Sequence, residues 1–581
     1  MKFTYKLTLL ALVFIGLSCS NLTDLDINQN PNAPSVDQTE PAFLFNAIQL
    51  GLGEFVSESL EETQPITRQR HMNSFFYNTF LTAESFDDIW LDAYTGTGVM
   101  QNAVTLEALV ADQPAFAGVS AASKIMRSYV MTSLVDLFGD VPFAEAFQGT
   151  DIISPVTDSG SAVYAAAEAA LDEAIAQLLN AESPPIVTND IFFGGDPVSW
   201  VALANSLKMR IYNNTRLVDS EAGSKIAAII SEGNFIGADG FDDFDFPFGS
   251  ERTDPDSRHP GYRSDYEADD GGYMANYFMW LLVGEKEVPD PRTRFYFYRQ
   301  QPSFTEASID LNNWDCVATQ TPFDAVPPGA LDHVLAVDPN LPFCLASAAG
   351  YMGRDHGNGQ GIPPDGPNRV EYGVYPAGGS WDDNSFSFTQ TDGDQGGLGE
   401  GIHPIWSAAF THFLRAEAAL EAGTGEDARE QLELGVRASI SKVLSFESLI
   451  PAATLTRVIG SNPMDGSDIL ANTLIPSDSI ITDYVTAVLD RYDAASDKLD
   501  VVMKEYYIAS FGNGIEAYNL YRRTGKPNNM APLIDPGAAA TASFPRTMPY
   551  PNSFVTRNAN VSQRETTTQV FWDTNPAGFI R

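Results

Sequence analysis

Apolar side chains recur every three to four residues along several stretches of the chain, which is the pattern of amphipathic helices. One stripe, within residues 161–180, consists of Tyr164, Ala167, Leu171, Ile175 and Leu178. A second, within residues 200–217, consists of Trp200, Ala204, Leu207, Ile211 and Leu217. A third, within residues 405–420, consists of Ile405, Ala409, Phe413, Ala416 and Leu420. This spacing predicts a mostly α protein.

The third stripe is followed by a predicted return helix. It ends at Gly423-Thr-Gly425, which is a helix stop signal. The apolar positions of the return helix are Ala428, Leu432, Val436 and Val443. The two helices form a hairpin similar to one tetratricopeptide-type unit, although the chain has no strict repeat of about 34 residues. One more helix is predicted over 501–523.

Helical periodicity is lost between about residues 236 and 400, except near 274–283. Gly, Pro, Asp and aromatic residues dominate there. We therefore predict a single domain whose parts are a helical scaffold at 41–235 and 401–531, a large loop-rich insertion at 236–400, and a loop-like tail at 532–581. Loops carried on rigid helices are where binding residues usually lie, so the insertion is the predicted ligand-binding part.

The first residues are typical of an exported lipoprotein. Two lysines precede an apolar run that ends at Leu17, and a small residue stands directly before Cys19. The run is too short to span a bilayer, and these features together describe a signal peptide over residues 1–18. We expect Cys19 to take a diacylglycerol and to become the mature N-terminus, which acyl chains then hold on a membrane. The polar, turn-rich residues 19–40 predict an extended tether.

The charge of the chain excludes several kinds of partner. It has 34 basic and 76 acidic side chains, a formal charge of −42. Affinity for phosphate backbones comes from Lys and Arg, so the balance argues against DNA and RNA. It argues equally against binding to an anionic membrane surface through a basic patch. The composition fits a neutral or cationic ligand outside the cell.

Cysteine usage agrees with export. Besides Cys19, the chain has only Cys316 and Cys344. In an oxidising compartment this pair is expected to form a disulfide, with two free thiols as the alternative. No CxxC pair occurs, which argues against cysteine zinc sites and thioredoxin-like chemistry.

The signals for metal binding are poor. The six histidines include no HxxxH pair. Asp392-Gly-Asp394 resembles the start of a calcium loop, but position five of that loop is Gly396 rather than Asp or Asn, and position twelve is His403 rather than Glu. We expect no cofactor and no metal site. Calcium held by the acidic loops at 239–270 is the alternative to a solvated negative surface.

Aromatic side chains are the candidate binding groups, because flat rings pack against the C–H faces of sugars. The candidates in the insertion are Trp280, Trp314 and Trp381, with Tyr273, Tyr277 and Phe278 nearby. A second candidate edge consists of Phe75, Phe76 and Tyr77. Burial in a loop core is the alternative for the insertion rings. The tryptophans expected in the scaffold core are Trp90, Trp200, Trp406 and Trp572.

Two charged motifs invite a functional interpretation. Arg354-Asp355-His356 resembles a catalytic group, but adjacent residues of an extended loop point to different sides, so no dyad is expected. A structural role and a ligand contact through Arg354 or His356 are the two remaining interpretations. Arg522 and Arg523, near a predicted helix end, are expected to bond backbone carbonyls or a buried carboxylate rather than a ligand.

Several segments, taken in order, resemble the SusD/RagB-like family of Bacteroidetes outer-membrane lipoproteins, in particular its second large branch. The segments are Asn28-Gln-Asn-Pro-Asn-Ala-Pro34, Ser133-Leu-Val-Asp-Leu-Phe-Gly-Asp-Val-Pro-Phe143, Asp190-Ile-Phe-Phe-Gly-Gly-Asp196, Ala204-Asn-Ser-Leu-Lys-Met-Arg210, Tyr351-Met-Gly-Arg-Asp-His-Gly357, Gly373-Val-Tyr-Pro-Ala-Gly-Gly379, Phe413-Leu-Arg-Ala-Glu-Ala-Ala419 and Tyr521-Arg-Arg-Thr-Gly-Lys-Pro527. Each segment alone is weak evidence for the resemblance, whereas the ordered set covers nearly the whole mature chain.

The resemblance implies a fold and a role. The fold would be a tetratricopeptide-like helix-turn-helix scaffold of four helix pairs. The protein would sit on the extracellular face of the outer membrane, held by its lipid, and cover a SusC-like TonB-dependent transporter as a lid. It would capture oligosaccharides for import and leave hydrolysis to separate enzymes.

Two other functions stay open from the sequence. A surface glycoside hydrolase would need two carboxylates a few ångström apart across a cleft, and no segment resembles such a site. A relative that captures peptides or another nutrient would keep the scaffold and change the cargo. We expect a binding protein rather than an enzyme, and the sequence does not name the glycan or its linkage.

Overall fold

The computed structural model describes residues 39–180, 186, 189–238, 240–268, 272–303, 329, 331–347, 349–359, 366, 368–389 and 391–581. The predicted signal peptide, Cys19 and nearly all of the tether lie outside these residues, as do Trp314 and Cys316. None of the helices in the described parts of the chain combines the length and the apolar character needed to cross a membrane.

Helices dominate the architecture. The longer ones are α1 (Pro41–Ile66), α2 (Asp87–Tyr94), α3 (Val99–Leu109), α4 (Ala117–Phe138), α5 (Gly160–Leu178), α6 (Pro197–Thr215), α7 (Ala222–Glu232), α8 (Asn276–Val283), α9 (Ala408–Glu421), α10 (Ala428–Leu444), α11 (Asp478–Ala494), α12 (Lys498–Ala509) and α13 (Gly514–Thr524). Consecutive helices pack as pairs in α4–α5, α6–α7, α9–α10 and α11–α12. These four pairs confirm the mostly α, tetratricopeptide-like scaffold.

The strands form three small antiparallel sheets. They pair β1 (Phe244–Pro247) with β4 (Ile402–Trp406), β2 (Phe297–Arg299) with β3 (Val370–Tyr372), and β5 (Val458–Ser461) with β6 (Asp468–Leu470). The sheet of β1 and β4 joins the insertion to the strand that precedes α9. The sheet of β2 and β3 joins two parts of the insertion to each other. The insertion is therefore connected to the scaffold by backbone pairing as well as by side chains.

The helices start where the sequence supplies caps. Asp196 accepts hydrogen bonds from the backbone N–H groups of Val198 and Ser199, and Pro197 occupies the first turn, so α6 begins at this point. The observed α5 and α10 match the predicted stripes, and α9 matches its stripe from Ala409 onward, whereas Ile405 lies in β4. The predicted helix over 501–523 was wrong in one respect: it is two helices, α12 and α13, separated by a turn in which Gly512 has a φ of 91°.

A buried carboxylate, Asp136 at the end of α4, joins four segments of the chain. Its oxygens accept hydrogen bonds from Arg210 Nη2 at 2.8 Å, Asn519 Nδ2 at 2.8 Å and Trp572 Nε1 at 3.0 Å, and from the Tyr164 hydroxyl. Asp136 is fully buried. Two of the segments that resemble the family, around Asp136 and Arg210, thus meet here as scaffold rather than as a ligand site.

A second buried carboxylate, Glu417 in α9, has the same role on the neighbouring helices. Arg523 Nε and Nη2 each donate to it at 2.7 Å, Asn213 Nδ2 donates at 3.0 Å, and Arg216 Nη1 lies 2.8 Å away. The prediction that Arg523 bonds a buried carboxylate is confirmed. Arg522 donates to the Arg546 carbonyl at 2.6 Å, which confirms the same prediction for that residue.

Candidate functional site

The aromatic side chains predicted to form an exposed platform in the insertion are buried. The exposed fractions are 6% for Trp280, 2% for Trp381, 1% for Tyr273 and 0% for Phe278. The reason is packing: α8 lies inside the protein, and the Phe278 ring stacks 5.0 Å from that of Phe511. The platform prediction was wrong for these four residues. Trp314 lies outside the described residues, so the platform prediction for it stays a prediction.

The insertion is therefore a packed unit with a core of its own. Phe278 also lies 6.3 Å from Tyr296 and 6.0 Å from Phe297, and Trp381 lies 6.2 Å from Phe295. The insertion lacks helical periodicity because its elements are short, and not because it is exposed to solvent. The rings of such a unit pack against one another and are not exposed to a ligand.

Arg354-Asp355-His356 is buried, and its three side chains face different partners. The Arg354 guanidinium lies 4.2 Å above the Tyr273 ring. Asp355 accepts hydrogen bonds from Asn276 Nδ2 at 2.8 Å and from the Cys344 backbone at 2.9 Å, and burial raises its pKa to about 6. No Asp–His dyad forms among these residues, and the proposed ligand contacts of Arg354 and His356 were wrong because neither side chain reaches the surface.

His356 instead supports the second predicted edge through Tyr77. The Arg68 Nη2 group donates to the Tyr77 hydroxyl at 2.8 Å, and that hydroxyl lies 3.0 Å from His356 Nε2. Because the phenolic oxygen accepts from Arg68, its proton is directed to the imidazole, which is neutral: burial and then the charge of Arg68 lower the pKa of His356. Tyr77 is held rigidly by this chain of contacts.

Tyr77 lines a cavity of about 580 Å³, which we call the tail cavity because most of its wall comes from the C-terminal tail. Its lining residues are Tyr77, His333, Ala336, Val337, Pro532, Leu533, Ala539, Ala542, Ser543, Phe544, Arg546, Thr567, Gln569, Ala577, Gly578, Ile580 and Arg581. Tyr77 is the one predicted binding residue in that set. His333, Ala336 and Val337 come from the insertion, and the loop-like tail, which carried no site prediction, supplies the remaining residues.

The tail cavity has an apolar floor and a polar rim. Leu533, Phe544 and Ile580 are buried, whereas the rim residues Ser543 and Gln569 are exposed. None of the described residues that line it is Asp or Glu. The lining residue Arg546 donates from Nε and Nη2 to Asp573 at 2.6 and 2.5 Å, so its charge is compensated. The cavity can therefore offer apolar contact, neutral hydrogen-bonding groups such as Ser543 and Gln569, and the guanidinium of Arg581.

No cysteine is among the described residues that line this cavity. Cys344 is disulfide-bonded, as predicted, and its predicted partner Cys316 is outside the described residues. Among the residues that the structure describes, no group of three or more His, Cys, Asp or Glu is placed to hold a metal ion. The expectation of no cofactor stays a prediction, with calcium in the acidic loops as its alternative.

Two family profiles match the sequence. Residues 31–312 match a family described as "Starch-binding associating with outer membrane", and residues 401–573 match one described as "Susd and RagB outer membrane lipoprotein". Between them they span most of the chain and the whole helical scaffold. No curated protein matches the sequence significantly.

Solved structures share the fold at low sequence identity. A chitin-binding protein is similar with a TM-score of 0.63 and 20% identity, over 92% of this chain and 100% of its own. A Bacteroidetes SusD-like protein gives 0.61 and 19%, over 92% and 100%. A susd/ragb family protein from Bacteroides thetaiotaomicron gives 0.60 and 16%, over 94% and 100%. At such identities the likeness concerns the fold.

Proposed function

The chain is a member of the SusD/RagB-like family of outer-membrane lipoproteins, and from that premise we propose that it captures oligosaccharides at the cell surface and delivers them to a SusC-like TonB-dependent transporter. The observation that carries the proposal is the tail cavity, which combines an apolar floor with a polar rim that includes no Asp or Glu among its described residues. Its volume of about 580 Å³ lies within the range of small-molecule sites. A similar structure is that of a chitin-binding protein.

The chemistry of the cavity fits a neutral sugar. The C–H faces of pyranose rings pack on apolar surface such as that of Leu533 and Phe544, while hydroxyl groups exchange hydrogen bonds with side chains such as Ser543, Thr567 and Gln569. A cationic cargo would need a carboxylate side chain, and the described lining residues include no Asp or Glu. A neutral ligand also agrees with the low basic content of the chain.

We infer that the protein binds and does not hydrolyse its ligand. Glycoside hydrolysis uses two carboxyl groups that flank the scissile bond, about 5 to 9.5 Å apart. The described walls of the tail cavity offer neither group. Release of reducing ends from any glycan that the protein binds would contradict this inference.

Filling the tail cavity should abolish glycan binding. Ala577 is exposed on the lining, so Ala577→Trp places a large side chain in the cavity without disturbing the core. We expect affinity for the best ligand of a soluble glycan panel to fall at least about tenfold, equivalent to about 1.4 kcal/mol, by titration calorimetry. The matched control is Ala540→Trp, at an exposed alanine outside the lining. Equal affinities of the two variants would remove the cavity from the proposal.

The lipid anchor and the transporter are tested together. We expect mass spectrometry of the mature N-terminal peptide to find Cys19 acylated, and a transporter-sized partner to co-purify from detergent-solubilised membranes. Because several acyl chains are needed for stable anchoring, Cys19→Ala should shift the protein to the soluble fraction. An unmodified Cys19 in membrane-bound protein, or recovery of the protein alone after mild solubilisation, would contradict this part of the proposal.

A further inference from the structure

A second concave surface lies on another part of the molecule, between α2, the loop that follows α4 and the short helix Asn552–Arg557. It encloses about 340 Å³. We call it the aromatic hollow. Its lining residues are Trp90, Leu91, Tyr94, Thr95, Gln101, Pro142, Ala146, Phe147, Ile153, Pro155, Ser553, Phe554, Arg557 and Asn558. It shares no lining residue with the tail cavity.

Four aromatic rings form the floor and one side of the hollow. The Trp90 ring lies 4.6 Å from that of Tyr94 at an interplanar angle of 32°, and 4.4 Å from that of Phe554 at 30°. The rings of Tyr94 and Phe147 lie 6.0 Å apart at 24°. Neighbouring rings are thus closely aligned, which gives the hollow flat apolar surfaces. The tail cavity has no comparable set of rings among its described lining residues.

The walls are fixed in place by hydrogen bonds between elements. The Tyr94 hydroxyl donates to the Pro142 carbonyl at 2.8 Å, which joins α2 to the loop after α4. Asn558 Nδ2 donates to the Pro155 carbonyl at 2.7 Å, which joins the same loop to the short helix. A concave surface whose walls are cross-linked in this way can accept a ligand without the cost of ordering itself.

Two features of the hollow are unfavourable for an isolated protein. Ile153 and Leu91 expose 81% and 41% of their surface at its edge. Phe147 has a φ of 65°, in the left-handed region that a phenylalanine rarely adopts. Strained residues of this kind cluster at ligand sites. Both features are explained if a ligand covers the rim and packs on the Phe147 ring.

The rim also carries a free hydrogen-bond donor. The Arg557 guanidinium lies at the exposed end of the short helix and has no hydrogen-bond or ion-pair partner among the described residues. Gln101, on the opposite side, uses its amide N–H to bond Thr105 Oγ1 at 3.2 Å. A planar guanidinium beside aromatic faces is suited to hydroxyl groups on the edge of a ring whose faces are apolar.

We propose that the aromatic hollow is a second carbohydrate-binding site, which takes one or two pyranose rings of an oligosaccharide. The ligand class rests on the proposed function, whereas the location does not. The size supports a short segment of glycan, since about 340 Å³ is near the lower end of small-molecule sites. One ring packs on the Trp90–Tyr94–Phe147 faces, and its hydroxyls accept from Arg557.

The experiment is a calorimetric titration of the mature chain with cellohexaose, maltohexaose and chitohexaose. We expect two sites per chain for the sugar that binds. Leu91→Ser and Arg557→Ala, both at exposed positions, should each weaken one site at least tenfold and leave the other unchanged. Ala577→Trp should remove the other site alone. These outcomes would place the second site in the hollow.

A further variant separates a ligand site from a structural defect. Phe147→Asn removes the ring and places a residue that tolerates the left-handed backbone at this position. It should retain or raise the melting temperature while losing the second site. The matched control is Phe386→Asn, at another phenylalanine with positive φ that lines neither cavity.

The outcomes that overturn the inference differ from those that overturn the proposed function. A single site that is lost in Ala577→Trp and unchanged in Leu91→Ser, Arg557→Ala and Phe147→Asn shows that the hollow binds no sugar. The same result accompanied by loss of transporter co-purification in Leu91→Ser would assign the hollow to a protein partner and overturn the inference as well. Absence of binding for every glycan in an extended panel would overturn the proposed function.

Discussion

Replacing Asp136 by alanine should lower the free energy of unfolding by about 3–5 kcal/mol. The carboxylate is fully buried and compensates the charge of Arg210, which lies 2.8 Å away with only 2% of its side chain exposed. Its removal leaves that guanidinium with Glu516 alone, and leaves the Asn519 and Trp572 donors without an acceptor. A buried donor that loses its partner costs about 1–3 kcal/mol.

The measurement is denaturant unfolding of the soluble mature chain, followed by circular dichroism. Asp136→Asn keeps the shape and part of the accepting capacity, so its loss should be smaller than that of Asp136→Ala. The matched control is Asp490→Ala on α11, an exposed carboxylate for which we expect a change within about 0.5 kcal/mol. An alanine variant at position 136 as stable as the control would show that the network does not hold the helices together.

Replacing Glu417 by glutamine should cost a similar amount at neutral pH and much less in acid. Burial alone would raise the pKa of Glu417, but the nearby charges of Arg523 and Arg216 outweigh it and lower the pKa from 4.5 to about 2. The unfolded chain therefore binds a proton at higher pH than the folded chain does. The stability that this group contributes, about 3 kcal/mol, is present above about pH 5 and is lost as the pH falls towards 2.

The test compares the pH dependence of the two proteins. The difference in unfolding free energy between wild type and Glu417→Gln should shrink by about 3 kcal/mol between pH 6 and pH 2. Other carboxylates contribute equally to both proteins and cancel in the difference. A difference that stays constant over this range would mean that the pKa of Glu417 is not lowered by Arg523 and Arg216.

The sequence predicted the scaffold well because its helices obey local rules. The apolar stripe around Leu171 depends only on spacing and corresponds to the observed helix α5. The stop signal at Gly423 depends only on the cap and corresponds to the observed end of α9. The prediction for Arg523 also succeeded, since a guanidinium at a helix end that must be buried needs a carboxylate. The break between α12 and α13 was missed because Gly512 is a single residue within an otherwise helical pattern.

Apart from Tyr77, the residues that line the two proposed binding cavities were not predicted as ligand-binding, for a physical reason. Whether a ring such as Trp280 faces solvent depends on contacts between segments far apart in the sequence, and composition does not encode them. Trp90 illustrates the converse: its helical position predicted core packing, and it is only 8% exposed, yet its ring forms the floor of the aromatic hollow. The tail cavity was missed because its walls come from a tail without periodicity.

The hydrogen bond from Trp572 to Asp136 spans 436 positions of the chain. A polypeptide synthesised and exported from its N-terminus would complete the α4 end of the scaffold only after nearly every residue had left the ribosome and crossed the inner membrane. Until then the Asp136 carboxylate lacks one of its donors. We therefore expect a chain truncated before Trp572 to be less stable than the full chain, because Asp136 stays buried with one donor fewer.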